Sequence, residues 1–164
     1  MPSTRVITLI CFFCSFALSA QAADDQLFGD WGSNWQEKGL TVEAILTHDF
    51  IYNTRGGIDE DQTLLGNFDL TFEVDTASAG WWQDGRFFLY VLGNYNEGGG
   101  MTEIVGDLQG TSNIEAAEAL RIYEAWYEHN FADEQLSLLF GLHDFNSEFA
   151  VLEYAGLFLN SSFG

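Results

Sequence analysis

Glu124, Trp126 and Glu128 carry the most evident chemistry in this sequence: two carboxylates flanking an indole at alternate positions. Alternate positions share one face of a β-strand, so together they offer acceptors for hydroxyl groups and a flat ring for the apolar face of a glycan. They are not spaced to cleave one. On a strand, positions i and i+4 lie about 13 Å apart, beyond the roughly 5 to 9.5 Å that a pair of glycosidase carboxylates requires. Other catalytic arrangements are missing. His48, His129 and His143 form neither a metal spacing nor a triad, and no serine sits in a nucleophile elbow. Gly98-Gly99-Gly100 lacks the Lys-Ser or Lys-Thr of a phosphate loop. Asp59-Glu60-Asp61 lacks the spacing and bidentate glutamate of an EF-hand and reads as a solvated acidic turn. No catalytic residue, cofactor or metal site is assigned.

The elements that must position these residues are long strands. From Leu40 to Tyr52 the even positions Leu40, Val42, Ala44, Leu46, Phe50 and Tyr52 are apolar, and the odd ones include Thr41, Glu43, Thr47 and Asp49; Ile45 and His48 interrupt the pattern. Leu64, Phe68, Leu70, Phe72 and Val74 alternate with Thr63, Asn67, Asp69, Thr71, Glu73 and Asp75. This period of two predicts strands near residues 40–53, 63–76, 86–96, 119–131 and 136–146. The last has Leu136, Leu138, Phe140 and Leu142 on one side. Residues 30–38 are predicted as a short helical lead, with Ser33 capping and Gly39 stopping it. No internal repeat or domain boundary interrupts the sequence.

The N-terminus predicts export. Arg5 precedes an apolar run from Val6 to Leu18, and Ala20-Gln21-Ala22 supplies a small-residue cleavage site, so residues 1–22 read as a signal peptide. The run is too short for the roughly 20 residues of a transmembrane helix. Cys11 and Cys14 both lie in it, so the mature chain has no thiol chemistry. All 25 acidic residues follow it, against four strong bases, Lys38, Arg55, Arg86 and Arg121, for a net charge of −21. Such a chain repels anions, and nucleic acid is excluded as a partner because binding it depends on neutralised phosphates.

Strand length separates two architectures. Ordinary strands run about 5 to 6 residues, whereas Leu64 to Asp75 alternates for 12. At about 3.3 Å per residue and a tilt of about 40°, this approaches the apolar band of an outer-membrane barrel. Connection lengths agree, with a tight turn at 132–135 and long excursions at 53–61, 97–118 and after Asn146, the pattern of short periplasmic turns and long external loops. Trp81 and Trp82 then fall at the inner, periplasmic-side interface of the outer membrane. The alternative is a secreted or periplasmic carbohydrate-binding β-sandwich, lectin-like or glycan-processing, which also alternates a buried and a wet face.

Specific strings add to this periodicity. Gly29-Asp30-Trp31-Gly32, Gly66-Asn67-Phe68-Asp69-Leu70, Gly80-Trp81-Trp82, Val105-Gly106-Asp107-Leu108-Gln109-Gly110, Ser112-Asn113-Ile114-Glu115-Ala116, Tyr123-Glu124-Ala125-Trp126-Tyr127-Glu128 and Asp144-Phe145-Asn146-Ser147-Glu148-Phe149, together with residues 156–164, closely resemble the N-terminal part of the carbohydrate-selective porins of the OprB type. Ser33 stands where the family commonly has glycine, and His143 where it commonly has tyrosine. The resemblance implies an all-β, 16-stranded antiparallel transmembrane barrel in the outer membrane, passing glucose and related sugars by diffusion. About five strands are present, and five cannot enclose a pore. Residues 23–164 are therefore expected to be the N-terminal part of a longer barrel.

Within such a barrel Glu124, Trp126 and Glu128 are expected to face the lumen, because the opposite facing puts two carboxylates toward lipid. Strict alternation then sends Arg121 outward to a membrane interface, unless a bulge reverses it, and Arg121 is kept with them as a candidate for the channel wall. Asp107, Gln109, Asn113 and Glu115 in one external loop, and Asn146 and Glu148 in another, are candidates for a constriction. The implied partners are glucose-like sugars as solute and outer-membrane lipid.

Overall fold

The computed structural model describes residues 11–21, 34–133, 135–149 and 159. Six strands form one antiparallel sheet in chain order: β1 (Cys11–Gln21), β2 (Leu40–Asn53), β3 (Gln62–Asp75), β4 (Gly85–Glu97), β5 (Ala119–Phe131) and β6 (Leu136–Leu142). Five of these are the strands the period of two predicts. The sixth, β1, forms from the apolar run expected to leave as a signal peptide and pairs along β2 from Cys11↔Asn53 to Gln21↔Glu43. An extended apolar segment there satisfies the N–H and C=O groups that the edge of β2 otherwise presents. No described helix is long and apolar enough to cross a membrane.

Register gives the sheet two unlike faces. Leu46↔Phe68, Leu70↔Val91 and Phe72↔Leu89 pair on one face, while Asn67↔Asn94, Thr71↔Tyr90 and Asp75↔Arg86 pair on the other. Burial argues against the sandwich. Leu120 is 75% exposed and Phe140 64% exposed on the apolar face, a surface that a second packed sheet would have to cover. The apolar face also has a row in which Tyr95, paired with Gly66, lies across that glycine and hydrogen-bonds His48. A Cβ at Gly66 would collide with the Tyr95 ring.

Two boundaries differ from expectation. β6 ends at Leu142 rather than at 146, because Asp144 turns the chain: its Oδ1 accepts the Asn146 N–H at 3.0 Å, and a short helix follows at Asn146–Phe149. The lead before β2 is helical at 34–36 and is ended by Gly39 at φ 74°, while the Ser33 cap lies outside the described residues.

The main apolar core lies at the loop end of the polar face. Ile51 and Leu65 point there, in the phase otherwise held by polar residues, and are covered by Met101 and Ile104 of the short helix Met101–Val105. Ile51 and Met101 are both 0% exposed. The 97–118 excursion thus folds back over β2 and β3 instead of standing free.

Candidate functional site

The β4–β5 register places the expected residues on the polar face. Arg86↔Glu128, Phe88↔Trp126 and Tyr90↔Glu124 are paired, and then the register shifts between Tyr90 and Val91, so that Val91↔Ile122 and Leu92↔Arg121 follow. This bulge inserts one residue at Tyr123 and reverses the phase of everything before it. It is the bulge that reverses the outward placement strict alternation gives Arg121. Arg121 lies on the polar face, and its Nη2 donates to Asn94 Oδ1 at 2.7 Å.

From Arg121 a hydrogen-bond chain crosses three strands. Asn94 Nδ2 donates to Asn67 Oδ1 at 2.7 Å, Asn67 Nδ2 donates to Asp69 Oδ2 at 2.6 Å, and the Tyr90 hydroxyl donates to Asp69 Oδ1. A second cluster surrounds Trp126. Its Nε1 donates to Glu124 Oε2 at 2.8 Å, and His143 Nδ1 donates to the same oxygen at 2.9 Å. The His143 Nε2 lies 3.4 Å from Glu148. Phe88 stacks on the indole at 4.9 Å, and the Arg86 guanidinium lies 5.0 Å from its centroid. Arg86 Nη2 also donates to Glu128 Oε2 at 2.8 Å, while Ser137 donates to Glu128 Oε1 at 2.5 Å. Gly141 faces Trp126 across the ladder at φ 139°, where a Cβ would meet Ala125 O and the Trp126 backbone.

Glu128, Ser137, Gly141, His143 and Glu148 line an open recess of about 400 Å³ beside this cluster, with Phe145 and Phe149 at its rim. Beyond the end of β6, Asp144 Oδ2 accepts from the hydroxyl of Tyr123, the bulge residue of β5, at 2.8 Å. That bond, helped by the Asn146 backbone N–H, holds the Asp144 carboxyl below the usual carboxylate range.

The structure joins Glu124, Trp126, Glu128 and Glu148 in one cluster and Arg121 to a neighbouring ladder. Asp107 and Asn113 lie in the docked loop. Asp107 Oδ2 accepts from Thr111 Oγ1 at 2.8 Å, and the Asn113 N–H donates to Leu159 O at 2.7 Å. Asn146 sits at the turn beneath Asp144. Asp59 and Asp61 accept from the backbone N–H groups of Glu60 and Gln62, and no group of three or more described His, Cys, Asp or Glu residues is arranged to hold a metal. Sequence reasoning places Asn67 and Asp69 on the polar side of their strand without tying them to Arg121, and misses Arg86, Tyr90 and Asn94 as members of this face. Their signal is phase: once register is known, each falls in line with Glu124.

Chemically, the polar face offers carboxylates, amides, guanidinium groups and an indole in a fixed mesh of hydrogen bonds, a surface that exchanges hydrogen bonds with hydroxylated solutes. The family model of the carbohydrate-selective porins, OprB family, matches residues 59–164. No curated protein and no solved structure matches the chain. A long-stranded antiparallel sheet with one exposed apolar face, one polar face and a family match over more than half its length places this chain in the carbohydrate-selective porin family OprB, transport channels of the outer membrane.

Proposed function

We propose that this protein passes neutral monosaccharides such as glucose across the outer membrane by diffusion along the polar face of the sheet, with the apolar face against lipid. The observation that carries this reading is the docked 97–118 loop, which packs on Ile51 of β2 and Leu65 of β3, on the same face of the sheet as Glu124, Trp126 and Arg121. In this reading residues 1–22 leave as a signal peptide, residues 23–164 form the first part of a larger barrel, and further strands complete the wall. Sugar hydroxyls exchange hydrogen bonds with Glu124, Glu128, Arg121, Asn146 and Glu148, and with Asp107 and Asn113 in the loop. The Trp126 ring edge and Phe145 contact the apolar ring faces.

The wall is acidic. Asp49, Asp69, Glu73, Glu124 and Glu128 face Arg86 and Arg121 as the only strong bases described on β2 to β6 of that face, which disfavours anions. The test is liposome swelling with the gene product that carries this chain, purified from outer membranes. Glucose is expected to enter faster than a dicarboxylate of similar size. Equal rates would remove the charge selectivity, and no swelling would remove the porin function.

A further inference from the structure

We infer that Glu115 is the positioning residue that clasps the inward loop and thereby sets the size limit of the passage. The inference rests on the porin reading for its consequence, but the clasp itself is a matter of geometry. The loop leaves β4 at Glu97, forms the helix Met101–Val105, turns at Gly106 in the left-handed region at φ 70°, and returns through 107–118 to β5. Glu115 on the return limb reaches back to the outgoing one. Its Oε1 accepts the Thr102 N–H at 2.8 Å, and its Oε2 accepts the Thr111 N–H at 3.2 Å. One carboxylate therefore ties together the start of the helix and the middle of the return limb.

The Thr102 amide needs this partner. The first N–H groups of a helix have no acceptor within it, and Gly100 at the N-cap has no side chain to supply one. Glu115 caps the helix from across the loop, and a charged acceptor makes the bonds stronger than neutral ones. Gly100 also makes room for the clasp. A Cβ at this position would collide with Glu115 Oε1, although φ −72° at Gly100 suits any residue.

The clasped loop is fastened to the sheet at separate points. Met101 and Ile104 bury against Ile51 and Leu65, Ser112 Oγ donates to Asp49 Oδ2 at 2.5 Å, and Asn96 Nδ2 donates to Ala116 O at 3.3 Å. The first anchor belongs to the outgoing limb and the other two to the return limb, so the Glu115 carboxylate holds the two anchored limbs at a fixed separation. Without it each limb keeps its own anchor and the segment between them, 106–111, gains freedom to swing away from the wall.

The experiment compares Glu115→Ala, Glu115→Gln and Gly100→Ala with the unaltered protein purified from outer membranes. Hydrogen exchange at the Thr102 and Thr111 amides is expected to accelerate about tenfold or more in Glu115→Ala. Glu115→Gln keeps one side-chain oxygen and falls between. Gly100→Ala, which leaves the carboxylate in place but displaces it, resembles Glu115→Ala. In liposome swelling the disaccharide-to-glucose rate ratio rises in the same order while the heat-modifiable mobility of the barrel stays unchanged. Unaltered exchange at both amides in Glu115→Ala overturns the clasp. Faster exchange with an unaltered size ratio overturns its role in setting the limit. Absence of sugar flux in the unaltered protein removes the transport reading and the size limit with it, whereas the exchange data still decide the clasp.

Discussion

At the loop end of the sheet, Ile51 and Leu65 sit on the polar face and are hidden beneath Met101 and Ile104; at the turn end, Trp81 and Trp82 pack on Phe87 and Tyr127 of the apolar face and remain largely open, with Trp81 60% exposed. The two ends manage apolar surface in opposite ways. The loop end puts oil where water is expected and covers it with the Met101 and Ile104 side chains. The turn end places large amphipathic rings where oil meets water, and gives their polar atoms partners: Trp82 Nε1 donates to the Tyr127 hydroxyl at 2.7 Å, which in turn bonds His129 Nδ1 at 2.8 Å. One end is held by burial, the other by satisfied edges.

This contrast predicts unequal responses to mutation. Met101→Ala deletes a fully buried side chain and should cost about 2 to 5 kcal/mol of loop docking. Exchange of the 101–105 amides should rise steeply while the β3–β4 ladder keeps its protection. Equal loosening of the ladder would mean that the loop and the sheet form one cooperative unit. Trp82→Phe at the turn end keeps most of the ring area and loses one hydrogen bond, for an expected cost of about 1 kcal/mol. A cost at the turn matching that of Met101→Ala would erase the distinction.

The smallest effect should come from pH at the Asp144 turn. Asp144 has its carboxyl pKa lowered, first by the bond from Tyr123 and then by the Asn146 N–H. Its contribution to the turn is fully present above the ordinary carboxyl pKa of about 4, and is lost as pH falls through the lowered folded value. An NMR titration of the Asn146 amide should show this bond persisting to pH below the ordinary carboxyl range in the unaltered protein. Tyr123→Phe should move the transition upward toward the ordinary value. No movement in that variant would leave the backbone N–H as the main cause.

The strands are legible in their period of two, which runs for 12 residues from Leu64 to Asp75 and shows in β6 as Leu136, Leu138, Phe140 and Leu142 on one side. Three things are not. Register is invisible in a single strand, which is why Asn67, Asn94 and Asp69 could not be tied to Arg121 in advance. A bulge adds one residue without any marker in composition, so the sequence leaves the phase of Arg121 open between strict alternation and a bulge, and the pairs Tyr90↔Glu124 and Val91↔Ile122 locate the break. The docked helix Met-Thr-Glu-Ile-Val is too short for a helical period to register. Ile51 and Leu65, where the loop lands, are apolar residues in the acidic phase, but so is Ile45, which the core cluster does not include, so the exceptions alone do not locate the landing site.

The central claim is that the polar face lines an aqueous passage and that the bulge at Tyr123 sets which β5 side chains reach it. Single cysteines placed through residues 119–128 of the membrane-embedded protein, each challenged with a water-soluble thiol reagent, test it directly. The account predicts reaction at positions 119 and 121 and again at 124, 126 and 128, with protection at 120, 122, 125 and 127, a period of two broken once at 123. Reaction at 120, 122, 124, 126 and 128 would contradict the bulge, and reaction at 125 and 127 with protection at 124 and 126 would contradict the facing of the whole wall.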